Sequence, residues 1–212
     1  MTRTFNHGME QGLHSLSMMP SGDCFMTGDV NSINIQNVER NDVDVFKVCQ
    51  RSEEDITSAT FNQDTHDVFM YSTEGGKIHI CDLRESSDFT NNSSLVLDTT
   101  GGGGGSRKGY VNLCNSISSV KFVGSDLRKI VSRDLLTVKV WDIRSPEKAR
   151  MIHSTHVTDY LESALPYMEE SQSFFCEVSP DGKNIATGGF NYNAHVIDMD
   201  GTSNLTIPCV FD

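Results

Sequence analysis

The sequence has 212 residues, with 17 Lys and Arg against 29 Asp and Glu, so the formal net charge is −12 and the pI is about 4.9. That length suits one domain or a large piece of one, and 37% hydrophobic with 22% charged residues is enough to form a core. The acidity argues against nucleic acid and anionic membranes as partners, because phosphate binding needs clustered Lys and Arg; it suits basic partners or plain solubility. No apolar run reaches membrane-spanning length, and Met1-Thr-Arg-Thr-Phe-Asn-His7 has no apolar signal region, which leads to the expectation of an intracellular protein.

Four segments share one layout: a β-rich stretch, a polar turn, an apolar stretch, a second turn, and an alternating stretch that ends in an acid or amide. The first is Leu13–Val38, with a turn at Pro20-Ser-Gly-Asp23 and a predicted outer strand at Val43–Cys49. In the second, Ile56–Leu83, Ile56-Thr-Ser-Ala-Thr-Phe61 precedes Val68-Phe-Met-Tyr-Ser-Thr73, then Gly75-Gly76 and Lys77-Ile-His-Ile-Cys-Asp-Leu83; an outer strand follows at Leu95–Thr99. The third, Ile117–Ile143, runs through Ile117-Ser-Ser-Val-Lys-Phe122, Lys129-Ile-Val-Ser132 and Val138-Lys-Val-Trp-Asp-Ile143, with an outer strand at Ala149–His153. The fourth, Phe174–Met199, turns at Pro180-Asp-Gly182 and has its outer strand at Leu205–Ile207. Alternation with period two in the third stretch of each unit is the mark of a half-buried strand.

The closing residues Asn37, Asp82, Asp142 and Asp198 fall at steps of 45, 60 and 56 residues. The shortest step matches the blade of a WD-repeat propeller, Trp141-Asp142 is the WD dipeptide, and the longer steps are blades with inserted loops. The fold expected is therefore all-β, a WD-repeat propeller of four blades, with units at about 13–50, 56–99, 117–153 and 174–207. Trp141 should be buried between units. The insertions are 84–115, which holds the glycines Gly101 to Gly105, and 145–173. Ser86 to Gly109 is expected to be mobile, with early proteolysis at Arg107 or Lys108. A short helix is expected from Asp159, with Glu162 three residues on, Tyr160, Leu161, Ala164 and Leu165 as its apolar face, and Pro166 as its limit.

Chemistry is sparse. Cys24, Cys49, Cys81, Cys114, Cys176 and Cys209 include no closely spaced pair, so they read as thiols rather than zinc ligands or a disulfide framework. The sequons at Asn91, Asn92 and Asn204 carry no weight without secretion. His153, His156 and Asp159 at steps of three could share a helical face, but no HExxH accompanies them and the pair sits where a strand ends, so no metal is expected. Gly101 to Gly109 lacks the Gly-Lys-Ser/Thr order of a phosphate loop. With no Gly-x-Ser-x-Gly elbow and no catalytic acid pair, neither catalytic residue nor cofactor is expected.

Ser132-Arg-Asp-Leu-Leu136 followed by Val138-Lys-Val-Trp-Asp-Ile143 resembles the most distinctive stretch of the 55 kDa regulatory B subunits of protein phosphatase 2A. Gly76-Lys-Ile-His-Ile-Cys-Asp-Leu-Arg84, Ile117–Phe122 and Thr187-Gly-Gly-Phe-Asn-Tyr-Asn193 are similar to others in the same order, from about His14 to Asp200. The resemblance implies about four blades of a seven-bladed architecture, without the early blades, the hairpin that grips the scaffold, or the closing blade. It implies a non-catalytic subunit, cytoplasmic or also nuclear, that binds the phosphatase scaffold and catalytic subunits and recruits phosphoprotein substrates with basic segments. Carried over residue by residue, it points to Asp29, Tyr110, Tyr167, Glu169 and Glu170 as substrate-binding residues on one face. Only Asp29 survives of two consecutive family acids, and one of two aromatics near Tyr110 is replaced. Each residue also has a plainer role: Asp29 in a turn, Tyr110 in packing, Glu169 and Glu170 as solvated charge. A generic WD-repeat scaffold in an unrelated complex is the competing expectation; an enzyme built on a propeller face is a third. The chain is also expected to leave apolar faces open on the Leu13–Val38 and Phe174–Met199 sides.

Overall fold

The computed structural model describes residues 12–39, 46–47, 54–85, 93, 95–99, 115–124, 128–144, 150–156, 174–190 and 192–209. These form four antiparallel four-stranded sheets. The first consists of β1 (Ser15–Met18), β2 (Cys24–Gly28), β3 (Ile33–Asn37) and β4 (Phe46–Lys47); the second of β5 (Ile56–Phe61), β6 (Val68–Thr73), β7 (Lys77–Asp82) and β8 (Leu95–Asp98). The third consists of β9 (Ile117–Phe122), β10 (Lys129–Asp134), β11 (Thr137–Asp142) and β12 (Arg150–His156), and the fourth of β13 (Cys176–Val178), β14 (Asn184–Gly188), β15 (Asn193–Asp198) and β16 (Asn204–Pro208). Within each sheet the strands lie in chain order, as short turns between alternating segments dictate. The all-β expectation of four blades holds. β12 continues three residues beyond the expected end, so His153 and His156 are both strand positions and not neighbours on a helical face.

The blades stack in sequence through their first strands. β5 touches β1 and β2, β9 touches β5 and β6, and β13 touches β9 and β10. The register makes the repeat quantitative. Ser17–Met26–Ile35–Phe46, Thr60–Met70–Ile80–Leu95, Lys121–Val131–Val140–His153 and Glu177–Ala186–Val196–Leu205 are equivalent rows across the four sheets. In the first three sheets the central pair of this row points at the next blade. Met26 and Ile35 pack with Ile56, Ala59 and Phe61; Met70 and Ile80 with Ile117, Val120 and Trp141; Val131 and Val140 with Cys176, Ile185 and Ile197. β6 and β10 are buried almost throughout because both faces are covered: in β6 Tyr71 packs toward the first blade and Met70 toward the third, and in β10 Ile130 packs toward the second and Val131 toward the fourth. Trp141 is buried between the second and third blades, as expected, and its Nε1 donates to Ser132 Oγ at 2.8 Å.

Turn chemistry is also periodic. Gly22 and Gly182 each adopt a positive φ, 77° and 68°, after Pro20-Ser and Pro180-Asp, and each N–H closes a turn onto Met19 O or Ser179 O. The residue closing each third strand accepts backbone N–H bonds: Asn37 from Glu39, Asp82 from Arg84, Asp142 from Arg144 and Asp198 from Thr202. In the middle two blades an Arg two residues on also clasps the carboxylate with its guanidinium.

Candidate functional site: the turn face

The turns between second and third strands lie on one face, together with the starts of the following blades. Ile56 N–H reaches Val30 O at 2.7 Å, and Glu74 N–H reaches Asp55 O at 2.8 Å. β8 and β12 end, and β9 and β13 begin, on this same face. Asp29 opens the first of these turns. Its Oδ1 accepts from the N–H of Asn31 at 2.8 Å and of Ser32 at 2.6 Å, and only 8% of the residue is exposed. The geometry therefore gives Asp29 the turn role, its short side chain replacing a backbone acceptor. Tyr110, Tyr167, Glu169 and Glu170, the glycines at 101–105 with the cleavage sites Arg107 and Lys108, and the helix expected from Asp159 lie outside the described residues.

Three features of this face were not foreseen. Asp134 stands in the third blade where Asp29 stands in the first, and accepts from Leu136 N–H, Thr137 N–H and Thr137 Oγ1 at 2.9, 2.7 and 2.6 Å; Lys139 Nζ pairs with it at 2.9 Å. In the second blade Glu54 accepts from Thr73 Oγ1 at 2.6 Å and from Lys77 Nζ. Burial opposes its charge, but the bonds from Lys77 and Thr73 prevail and its pKa falls. Finally, Arg133 is wholly buried between the third and fourth blades. Its Nη1 donates to Asp134 O at 2.6 Å, Nε to Thr187 Oγ1 at 3.2 Å and Nη2 to Gly188 O at 3.4 Å, and the guanidinium carbon lies 5.3 Å from the Phe174 ring centroid. Burial pulls its pKa down to about 10, so the cation persists at neutral pH. Sequence reasoning singled out Arg133-Asp134 through its resemblance to the regulatory subunits and ended the strand at Ser132; β10 runs on to Asp134, so the pair closes a buried strand, where a charge must be satisfied internally.

Among the described residues the solvent side of the face is acidic. Asp55 and Glu74 are exposed, while Lys77 and Lys139 are committed to Glu54 and Asp134. At the opposite ends of the first strands is a cavity of about 630 Å³, lined by Leu16, Met18, Asp64 and Phe122 among others, with the Lys121–Glu177 pair at 2.7 Å across it. Among the described residues no group of three or more His, Cys, Asp or Glu could hold a metal ion. No helix there is long and apolar enough to cross a membrane.

Comparison with known proteins bears on the propeller readings. No protein-family model matches the chain. Over 97% of its length, however, it is 31% identical to the B beta isoform of the 55 kDa regulatory subunit of serine/threonine-protein phosphatase 2A from Carassius auratus, of which it covers 47%. Over the same share it is 27% identical to the phosphatase 2A regulatory subunit phr2AB of Dictyostelium discoideum, covering 44%; over 89% it is 30% identical to a B beta isoform from Oryza sativa subsp. indica, covering 37%. The chain is a homologue of the 55 kDa regulatory B subunits of protein phosphatase 2A. It spans under half the length of these curated relatives. They are named as regulatory subunits and not as catalysts, in line with the expectation drawn from the sequence.

Proposed function

We propose that this chain acts as a non-catalytic regulatory subunit of protein phosphatase 2A, meeting its scaffold and catalytic subunits in the cytoplasm or nucleus and presenting phosphoprotein substrates through the turn face. The observation that carries this reading is the similarity to named regulatory subunits over 97% of the chain. The acidic turn face fits substrates with basic segments, because carboxylates there lower the energy of an approaching cation and steer it electrostatically. Asp29, Tyr110, Tyr167, Glu169 and Glu170 are the residues assigned to that contact, with the aromatics anchoring an apolar or cationic side chain. In Asp29 the contact adds to a turn role.

The test uses the purified chain with phosphatase scaffold and catalytic subunits. Co-purification of both supports the regulatory reading; recovery of neither assigns the chain to a scaffold outside phosphatase 2A. Substrate contact is tested separately. Asp29→Asn keeps the turn acceptor but loses the charge, and Glu169→Lys with Glu170→Lys reverses two more. Both variants should bind a Lys/Arg-rich peptide several-fold more weakly, with a larger difference at low salt. Unchanged affinity would return these side chains to turn and solvent roles.

A further inference from the structure

Near the ends of the second strands the register places Gly28, Ser72 and Arg133 at equivalent positions of the first three blades. In the second blade Ser72 Oγ donates to the carbonyl of Ile117, the first residue of β9, at 3.4 Å. In the third blade the same position carries a guanidinium, and it reaches further. What it holds is the segment that leads out of the 145–173 insertion. The Phe174 ring that lies over Arg133 also meets the Phe190 ring edge-on, with centroids 4.8 Å apart and planes at 82°. Ser118 Oγ, on β9, donates to Phe174 O at 2.5 Å. Thr187 Oγ1, on β14, accepts from Arg133 Nε and donates in turn to Phe175 O at 2.8 Å. Two successive carbonyls and one ring are thus fixed from three strands. Arg133 and Thr187 are both buried, where water competes least for such bonds.

Chain length makes this clamp matter for recognition. Glu170 precedes Phe174 by four residues and Tyr167 by seven. At no more than about 3.6 Å per residue, they lie within about 14 and 25 Å of it. The other root of the insertion, His156 at the end of β12, is eleven residues before Tyr167. Phe174 is the nearer fixed point. We infer that, given the substrate contact proposed above for Tyr167, Glu169 and Glu170, Arg133, Ser118 and Thr187 are positioning residues for it: by holding Phe174 and Phe175 they fix the exit of the insertion at the turn face. They act through the ring and backbone they grip. The physical gain is preorganisation, because a binding residue whose root is already fixed loses less interaction free energy to ordering when a basic segment arrives. A clamp that served only the contact between the third and fourth blades would leave recognition by the folded chain untouched.

The experiment measures, by fluorescence anisotropy, binding of a labelled Lys/Arg-rich peptide to the 212-residue chain, at temperatures where circular dichroism shows each variant folded. Arg133→Ala loosens the blade contact itself, so gentler variants carry the test. Phe174→Leu removes the ring and keeps an apolar side chain; Ser118→Ala removes one hydroxyl. Each should bind the peptide several-fold more weakly. Phe174→Tyr and Ser118→Thr keep the ring and the hydroxyl and should restore the affinity. The second arm combines Phe174→Leu with the charge reversal Glu169→Lys and Glu170→Lys. A clamp that acts through those acids has nothing left to present, so Phe174→Leu should weaken the charge-reversed chain no further. Undiminished affinity of folded Phe174→Leu, or an effect that persists in full after charge reversal, would overturn the positioning role while leaving the substrate contact of Glu169 and Glu170 in place. Failure of the unmodified chain to bind the peptide, or unchanged binding on charge reversal alone, would overturn both.

Discussion

At Arg133 the protein buries a full cation with no carboxylate bonded to its guanidinium among the described residues and still satisfies it, using two carbonyls, a hydroxyl and a ring. Carbonyl dipoles and the aromatic face replace part of the lost hydration, while the planar fork lets one side chain reach Thr187 and Gly188 of the fourth blade and Asp134 of its own. The residue thus couples two blades. Arg133→Ala should cost about 3 kcal/mol through the cavity and the unpaired acceptors it leaves. Arg133→Lys should recover little, because a compact ammonium cannot span the same fork. Urea unfolding followed by the fluorescence of Trp141 in the neighbouring core measures both; a loss below about 0.5 kcal/mol for the Ala variant would contradict the coupling role.

Among the elements, the turns carry the repeat more faithfully than the strands do. Gly182 sits at φ 68° in a turn whose Pro and Asp were readable beforehand, and Gly182→Ala should cost about 1–2 kcal/mol because a Cβ is strained there. A melt showing no loss would remove that turn from the stabilising set. The clasp ending the third strand makes a pH prediction. The Arg144 side chain bonded to Asp142 holds that carboxyl down to about 2, and Arg84 lowers Asp82 in the same manner. A carboxylate whose folded pKa lies below its unfolded value of about 4 contributes stability that is complete above that value. The contribution then drains as pH falls through the folded pKa. Acid unfolding should therefore weaken this part of the chain between about pH 4 and 2. Arg144→Ala should raise the Asp142 pKa toward the ordinary range in a carboxyl NMR titration; an unmoved titration would show that the clasp is not its cause.

Across the molecule, the strand order and the blade count were legible because period-two alternation and Pro/Gly turns are local signals. Val138–Ile143 and Lys77–Leu83 could be placed without knowing their partners. What packs against what was less visible: Trp141 was read as interblade, but Arg133 and the Glu54–Lys77 pair depend on contacts to residues dozens of positions away. Asp29 shows the limit for function. A residue-by-residue carry-over proposes a binding acid, and the local chemistry of Asp-Val-Asn-Ser fits a turn equally well; the hydrogen bonds to Asn31 and Ser32 reveal the second. The remaining site residues fall in the two insertions between repeat units, where alternation and turn rules give no geometry.

The burial of β6 and β10 on both faces has a kinetic meaning. Among the described residues each blade packs against its neighbours in sequence, so opening follows a nearest-neighbour rule and need not be all-or-none. The fourth blade, with β16 exposed along its whole length, packs among the described residues against the third, and it should open while the middle remains intact. Amide protons of β6 and β10 should then exchange slowest, those of β15 and β16 orders of magnitude sooner, and Arg133→Ala should accelerate the fourth blade while leaving β6 unchanged. Uniform exchange across all four blades would mean that the molecule opens as one unit.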